Sequence, residues 1–187
     1  MVDISIMNLI EFKTERLIIR NLKEEDFRDY LKFTTIAGIP EAAGWVHHKE
    51  GDPTKTEAFF NRERLIEADG IPKRLGIVFN DHLIGTFSIN ISDNTGWIGY
   101  CLNPDYWFQG FATEACKACV KWLLETRKDL KIRSMTFVNN LRSQRVLEKA
   151  GFRLIRESHL DKENLLNPYE NRHVFIYELE RKRENAV

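Results

Sequence analysis

Trp97-Ile98-Gly99-Tyr100-Cys101-Leu102-Asn103, followed by Trp107-Phe108-Gln109-Gly110-Phe111-Ala112-Thr113-Glu114-Ala115, is the stretch whose reading decides the fold. The first run reads as a β-strand. A helix starts inside the second and continues to about Thr126, with Ala115, Cys119, Trp122 and Leu123 on one face at i, i+4, i+7 and i+8. A strand that feeds a tight loop opening a helix is a ready anion site. Backbone N–H groups point outward there, and the helix dipole favours negative charge. Gly110 and Ala112 are small enough to let a diphosphate approach the main chain. The stretch therefore predicts a grip on a phosphorylated ligand.

The flanking sequence alternates strands and helices. Upstream, Arg16 to Arg20 reads as a strand, and Lys23-Glu24-Glu25-Asp26 opens a helix through about Phe33 with acids in its first turn. Residues 36–53 are irregular, and Thr54 to about Asp69 reads as a second helix with Phe59, Phe60, Leu65 and Ile66 inward. Arg74 to Phe79, Leu83 to Ile91 and Trp97 to Asn103 form an antiparallel meander, turned at Asn80-Asp81 and at Asp93-Asn94-Thr95-Gly96. Downstream come a strand at Ile132 to Val138 and a helix at Arg142 to Ala150, stopped by Gly151. Strands at Phe152 to Arg156 and His173 to Leu179 flank a polar, loop-like segment at 158–170. This order predicts a mixed α/β domain around one sheet.

Composition narrows the class. A chain of 187 residues is expected to form one domain with a full core. Its 28 basic and 28 acidic side chains cancel and are well mixed, which argues against nucleic acid or a membrane surface as partner. No apolar run approaches the ~20 residues of a membrane span, and Met1 to Ser5 does not read as a signal peptide. The three cysteines, Cys101, Cys116 and Cys119, are an odd set on core elements and point to a reducing cytoplasm.

Two motifs in this order resemble the GNAT N-acetyltransferase superfamily, in particular its RimJ/RimL-like branch. The first is Leu102-Asn103-Pro104-Asp105-Tyr106-Trp107-Phe108-Gln109-Gly110-Phe111-Ala112, with the proline six residues before the glycine. The second is Asn140-Leu141-Arg142-Ser143, running on to Gly151-Phe152. Thr14-Glu15-Arg16-Leu17-Ile18-Ile19-Arg20 is similar to the branch's usual opening. The likeness covers about 14–180. It implies a single α/β (α+β) domain over 1–187, with a central, mixed, mostly antiparallel sheet splayed at the cofactor site and about four flanking helices. It also implies transfer of an acetyl group from acetyl-CoA, as co-substrate and without metal, to an amine acceptor.

The resemblance also assigns roles. The backbone of Leu102 would polarise the acetyl carbonyl. Trp107, Phe108, Gln109, Gly110, Phe111, Ala112 and Thr113 would hold the diphosphate, and Asn140 the pantetheine, unless Asn140 is simply a helix cap. Trp107 stands where many relatives have Arg or Gln, and Leu147 where many have a tyrosine that protonates the leaving thiolate. Ser143 is the substitute expected near the sulfur. Trp45 and His48 would line the acceptor pocket.

The acceptor amine must be neutral to react. At pH 7 this costs roughly 1 kcal/mol for an α-amine and about 4–5 kcal/mol for a lysine. Glu157, His159 and Asp161 are the candidate bases, each also readable as a solvated loop residue. The Cys116-x-x-Cys119 spacing reads as core filling. The adjacent His47-His48 diverge and lack a ligand pattern around them, so no metal is expected. The acceptor stays open between a protein N-terminal α-amine and a polyamine, amino sugar or amino acid. A CoA-binding module without catalysis is a rival, and both a monomer and a homodimer fit.

Overall fold

The computed structural model describes residues 10–36, 53–64, 70–159 and 173–180. In chain order the elements are β1 (Glu11–Lys13), β2 (Ile18–Asn21), α1 (Phe27–Thr34, after a 3-10 turn at Glu24–Asp26) and α2 (Pro53–Glu63). The hairpin strands β3 (Arg74–Phe79), β4 (His82–Ser92) and β5 (Thr95–Leu102) follow, then α3 (Phe111–Thr126), β6 (Lys131–Phe137), α4 (Leu141–Lys149), β7 (Phe152–His159) and β8 (His173–Leu179). One sheet orders its strands β1-β2-β3-β4-β5-β6-β8-β7. The β5–β6 pair is parallel and the others are antiparallel.

Local chemistry explains the meander. Asn80 and Asp81 have φ of 48° and 63°, and Asp93 and Asn94 have 47° and 57°. Two consecutive left-handed residues are what a two-residue hairpin with right-twisted strands requires, and Asn and Asp tolerate them. The second turn is therefore tighter than expected, because Thr95 and Gly96 already belong to β5.

Both faces of the sheet are covered. On one, Ile98 and Leu102 of β5 pack with Phe111, Ala115, Cys116, Cys119 and Leu123 of α3 and Leu147 of α4. On the other, Tyr30 and Phe33 of α1 and Phe60 of α2 pack on Val78 and Leu83, with Cys101 half-buried against them. Strand β3 is consequently buried from Arg74 to Val78 without polar alternation. The Arg74 charge is matched inside by Glu63 at 3.0 Å and by the Thr86 hydroxyl at 3.3 Å.

Two features tie down the end of β5 and the start of α3. Gly85 lets β4 lie close under the end of β5: a Cβ there would stand 2.3 Å from the Cys101 carbonyl oxygen and 2.4 Å from Leu102 Cδ2. Glu114, in the first turn of α3, is clamped from the N-terminal strands. Its Oε1 accepts from the Thr14 hydroxyl at 2.5 Å and the Arg16 N–H at 2.9 Å, and its Oε2 accepts from Arg16 Nε at 2.7 Å. Arg16 also donates to the Gln109 carbonyl at 2.9 Å and lies 4.3 Å over the Phe111 ring. Burial pushes the Glu114 carboxyl up, but the Thr14 and Arg16 hydrogen bonds and the Arg16 charge outweigh it and hold the group below its ordinary value.

Gly85→Ala should destabilise the fold by about 1–3 kcal/mol through overpacking, lowering Tm by several degrees at roughly 2–4 °C per kcal/mol; an unchanged melt would refute the close approach. The depressed Glu114 pKa adds stability that is complete above about pH 4.3 and fades as pH falls through the lower folded value. Glu114→Gln should therefore cost on the order of 1–2 kcal/mol at pH 7, with the gap in Tm narrowing below about pH 4. A gap that stays constant down to pH 3 contradicts an ionised clamp.

Candidate active site

The site is built where β5 and β6 part. Their pairing runs from Thr95↔Lys131 to Ile98↔Ser134, and the Ser134 hydroxyl donates to the Ile98 carbonyl at 2.9 Å there. Beyond it β6 stays with β8 as far as Phe137↔Val174, while β5 stays with β4 as far as Gly85↔Leu102. The Asn103 N–H donates to the Ile84 carbonyl at 2.8 Å, in register with that ladder. Antiparallel pairs alternate between bonded and non-bonded. Cys101 and Asn103 therefore turn their backbone groups toward β4, and Tyr100 and Leu102 turn theirs into the gap. The Leu102 N–H thus lies on the open side, while its carbonyl accepts from Trp107 Nε1 at 2.9 Å.

The turn after β5 ends at Gly110, whose φ of 83° is left-handed. The first bond of α3 runs from the Glu114 N–H to the Gly110 carbonyl at 3.0 Å. The N–H groups of Phe111, Ala112 and Thr113 thus have no partner within the helix. Gln109 braces the turn through its side chain, donating to the Asp105 carbonyl at 3.2 Å. The Trp107 N–H is committed to the Pro104 carbonyl at 3.0 Å, so this residue serves the turn as a side-chain brace on Leu102. Phe108 is left-handed too (φ 62°) and 86% exposed. The Arg142 guanidinium of α4 sits 4.7 Å from the Trp107 ring and 5.3 Å from that of Phe108, bringing a cation to the turn.

Opposite lies the first turn of α4. Asn140 caps this helix, its Oδ1 accepting the Ser143 N–H at 3.1 Å. The Ser143 hydroxyl meets a group that sequence reasoning missed. Tyr100 reaches across from β5, its hydroxyl 2.9 Å from the Ser143 carbonyl oxygen and 3.0 Å from Ser143 Oγ. The signal was present in the alternation of β5, where Tyr100 lies two residues before Leu102 and shares its face. Leu147 is fully buried in the core.

Ser143 and Leu102 are thus brought to one gap, with the turn at Gly110 beside it. Glu157 and His159 are not loop residues, because β7 runs on to His159. Glu157 contacts His173 of β8, and the His159 and His173 rings stack at 4.4 Å. Trp45, His47, His48 and Asp161 lie outside the described residues. Burial pushes the Cys101 and Cys116 thiols up to about 12 and that of Cys119 upward as well, so all three stay protonated at neutral pH. Among the described residues no group of His, Cys, Asp and Glu could hold a metal ion, and no helix is long and apolar enough to cross a membrane.

Comparison with known proteins agrees with this architecture. An N-acetyltransferase of Bacillus subtilis, YnaD, described as uncharacterized, is 27% identical over 144 residues, covering 75% of this chain and 81% of its own. The crystal structure of a GNAT-family acetyltransferase from Bacillus anthracis superposes with a TM-score of 0.74 at 23% identity, covering 91% of this chain and 98% of the other. RimL, a ribosomal L7/L12 α-N-protein acetyltransferase solved in complex with coenzyme A, superposes with a TM-score of 0.70 at 18% identity, covering 90% and 97%. The model of the acetyltransferase (GNAT) domain matches residues 16–153, and the chain belongs to that family.

Proposed function

We propose that this acetyltransferase is an acetyl-CoA-dependent N-acetyltransferase of the RimJ/RimL-like kind, with a protein N-terminal α-amine as acceptor. The observation that carries the reading is the half-paired β5. Tyr100 and Leu102 present backbone groups to a gap with the Gly110 turn at one side and the Ser143 hydroxyl at the other. These residues fit coenzyme A. The N–H groups of Phe111, Ala112 and Thr113 suit its diphosphate, with Phe108, Gln109 and Gly110 shaping the turn and the Thr113 hydroxyl as a further donor. The open edge of β5 suits the amide-bearing pantetheine as an added strand.

Acetyl-CoA supplies the acetyl group as a thioester. The Leu102 N–H donates to the acetyl carbonyl oxygen where negative charge develops. The gap aligns the carbonyl carbon for direct attack by the amine nitrogen. A C–N bond forms as the C–S bond breaks, and the proton lost by nitrogen balances the one gained by sulfur. The Ser143 hydroxyl offers a hydrogen bond to the departing thiolate. An α-amine asks least of a base, about 1 kcal/mol at pH 7. That matches a site for which the candidate carboxylate among the described residues, Glu157, is engaged with His173. The RimL likeness supports the same acceptor class. Trp45, His48 and Asp161 complete the proposed set as pocket lining and second candidate base.

The test is a panel of acetyl-CoA with free-α-amine peptides, their Nα-blocked lysine-containing counterparts, a polyamine, an amino sugar and free amino acids. CoA release and product mass are the readouts. Turnover confined to free-α-amine peptides is expected. Preference for a small amine would move the acceptor class, and CoA binding without turnover would favour a binding module. Gly110→Ala places a Cβ 3.4 Å from the Arg16 guanidinium on a left-handed residue. It should weaken CoA binding by roughly five- to tenfold by calorimetry, as strain on the order of 1 kcal/mol opens the turn. Unchanged affinity would argue that the diphosphate lies elsewhere.

A further inference from the structure

We propose that Tyr100 is a positioning residue for the reaction, holding the Ser143 hydroxyl so that its proton faces the sulfur of coenzyme A. The inference rests on the proposed placement of the thioester in the gap between β5 and β6. It adds a role for a side chain that neither motif contains.

The geometry is specific. Tyr100 stands on the part of β5 that β6 no longer pairs, and its ring spans the gap to the first turn of α4. A phenol carries one proton, and two acceptors of one residue lie before it: the Ser143 carbonyl oxygen at 2.9 Å and Ser143 Oγ at 3.0 Å. When the phenol donates to Oγ, the serine's own proton is free to turn into the gap. The serine backbone is fixed at the same time, because its N–H is held by Asn140 Oδ1 at 3.1 Å. In that arrangement Ser143 is pinned at its N–H and at Oγ, with its O–H bond left to point. A lone serine rotor would sample several directions.

The phenol is suited to this task and not to giving up its proton. Burial, aided by the neighbouring Cys116 and Tyr177 and opposed by the Ser143 hydrogen bond, pushes its pKa well above the ordinary tyrosine value. It therefore remains a neutral donor throughout the pH range in which an amine acceptor would react. Tyr100 acts through Ser143. It accepts no charge and gives no proton to the sulfur itself.

The test reads the thiol of bound CoA, so it needs no acceptor. The full-length protein is saturated with CoA, and thiolate absorbance is followed against pH, with the desulfo-CoA complex as blank. A hydrogen bond from Ser143 stabilises the bound thiolate and lowers its pKa. Ser143→Ala should raise that pKa by about half a pH unit or more. Tyr100→Phe should raise it in the same direction with CoA affinity within about twofold, and the double variant should add nothing to Ser143→Ala. That non-additivity supports the proposal, since a merely structural tyrosine would leave the thiol pKa alone or shift it independently. A Tyr100→Phe protein that titrates like the wild type, or that adds its own shift on top of Ser143→Ala, overturns the role of Tyr100 and leaves Ser143 in place. A thiol pKa unmoved by Ser143→Ala overturns both the Ser143 reading and this one. Where Tyr100→Phe fails to fold, 3,5-difluorotyrosine at position 100 keeps the hydroxyl and makes it a stronger donor. It should lower the bound-thiol pKa, and no change would overturn the proposal.

Discussion

From Thr95 to Ile98 the strand β5 shares its hydrogen bonds with two neighbours, and from Gly99 to Leu102 with one. Backbone polar groups seek partners, and a strand edge in the middle of a sheet is an invitation to an extended, amide-bearing chain. The elements around the site follow from this divergence. The helix α3 begins where β5 has run free of β6, so its unpartnered N–H groups open beside the gap. The helix α4 begins just past the end of β6, so Ser143 looks back across it. Antiparallel alternation decides that Leu102 and Tyr100, and not Cys101, face the opening.

The opposite face of the sheet bears a different load. Arg74 and Glu63 are charged and buried, held by each other at 3.0 Å with Thr86 nearby. Removing either partner would strand a charge in the interior. Their presence under β4 and β3 ties α2 to the sheet by a directional contact among the aromatic packing of Tyr30, Phe33 and Phe60.

Much of this architecture is written locally. Strand β3 and helix α3 start and stop where their apolar patterns and turn residues say they should, because both signals are carried by adjacent residues. The Gly110 turn and the Asn140 cap are local in the same sense. Elements with polar sequence were harder to read. Strand β1 is three residues long, Glu11-Phe12-Lys13, and shows only its phenylalanine inward. The end of β7, Glu157-Ser158-His159, looks like loop because an edge strand with exposed faces has no apolar alternation to display. The contacts that matter most at the site were illegible for a further reason. Tyr100 and Ser143 are 43 residues apart, and Arg16 and Glu114 are 98 apart. Each residue was visible, with Thr14-Glu15-Arg16 and Thr113-Glu114-Ala115 both standing out as motifs. Nothing in one dimension says that one is the lock of the other. Phe108 is a further case, since a bulky side chain gives no warning that its backbone is left-handed.

The lock between Arg16 and Glu114 bears on the order in which the molecule assembles. Loop closure must be met before distant contacts can form, so the turns of the β3–β5 meander precede any union of residue 16 with residue 114. The Gly110 turn, which Arg16 braces through the Gln109 carbonyl, would on this ground be completed only once β2 has docked against β3. A partly folded chain with its meander and α3 in place would have the sequence of the site but not its shape. Competence to grip a ligand would thus arrive with the completed sheet rather than with the helix that carries the motif.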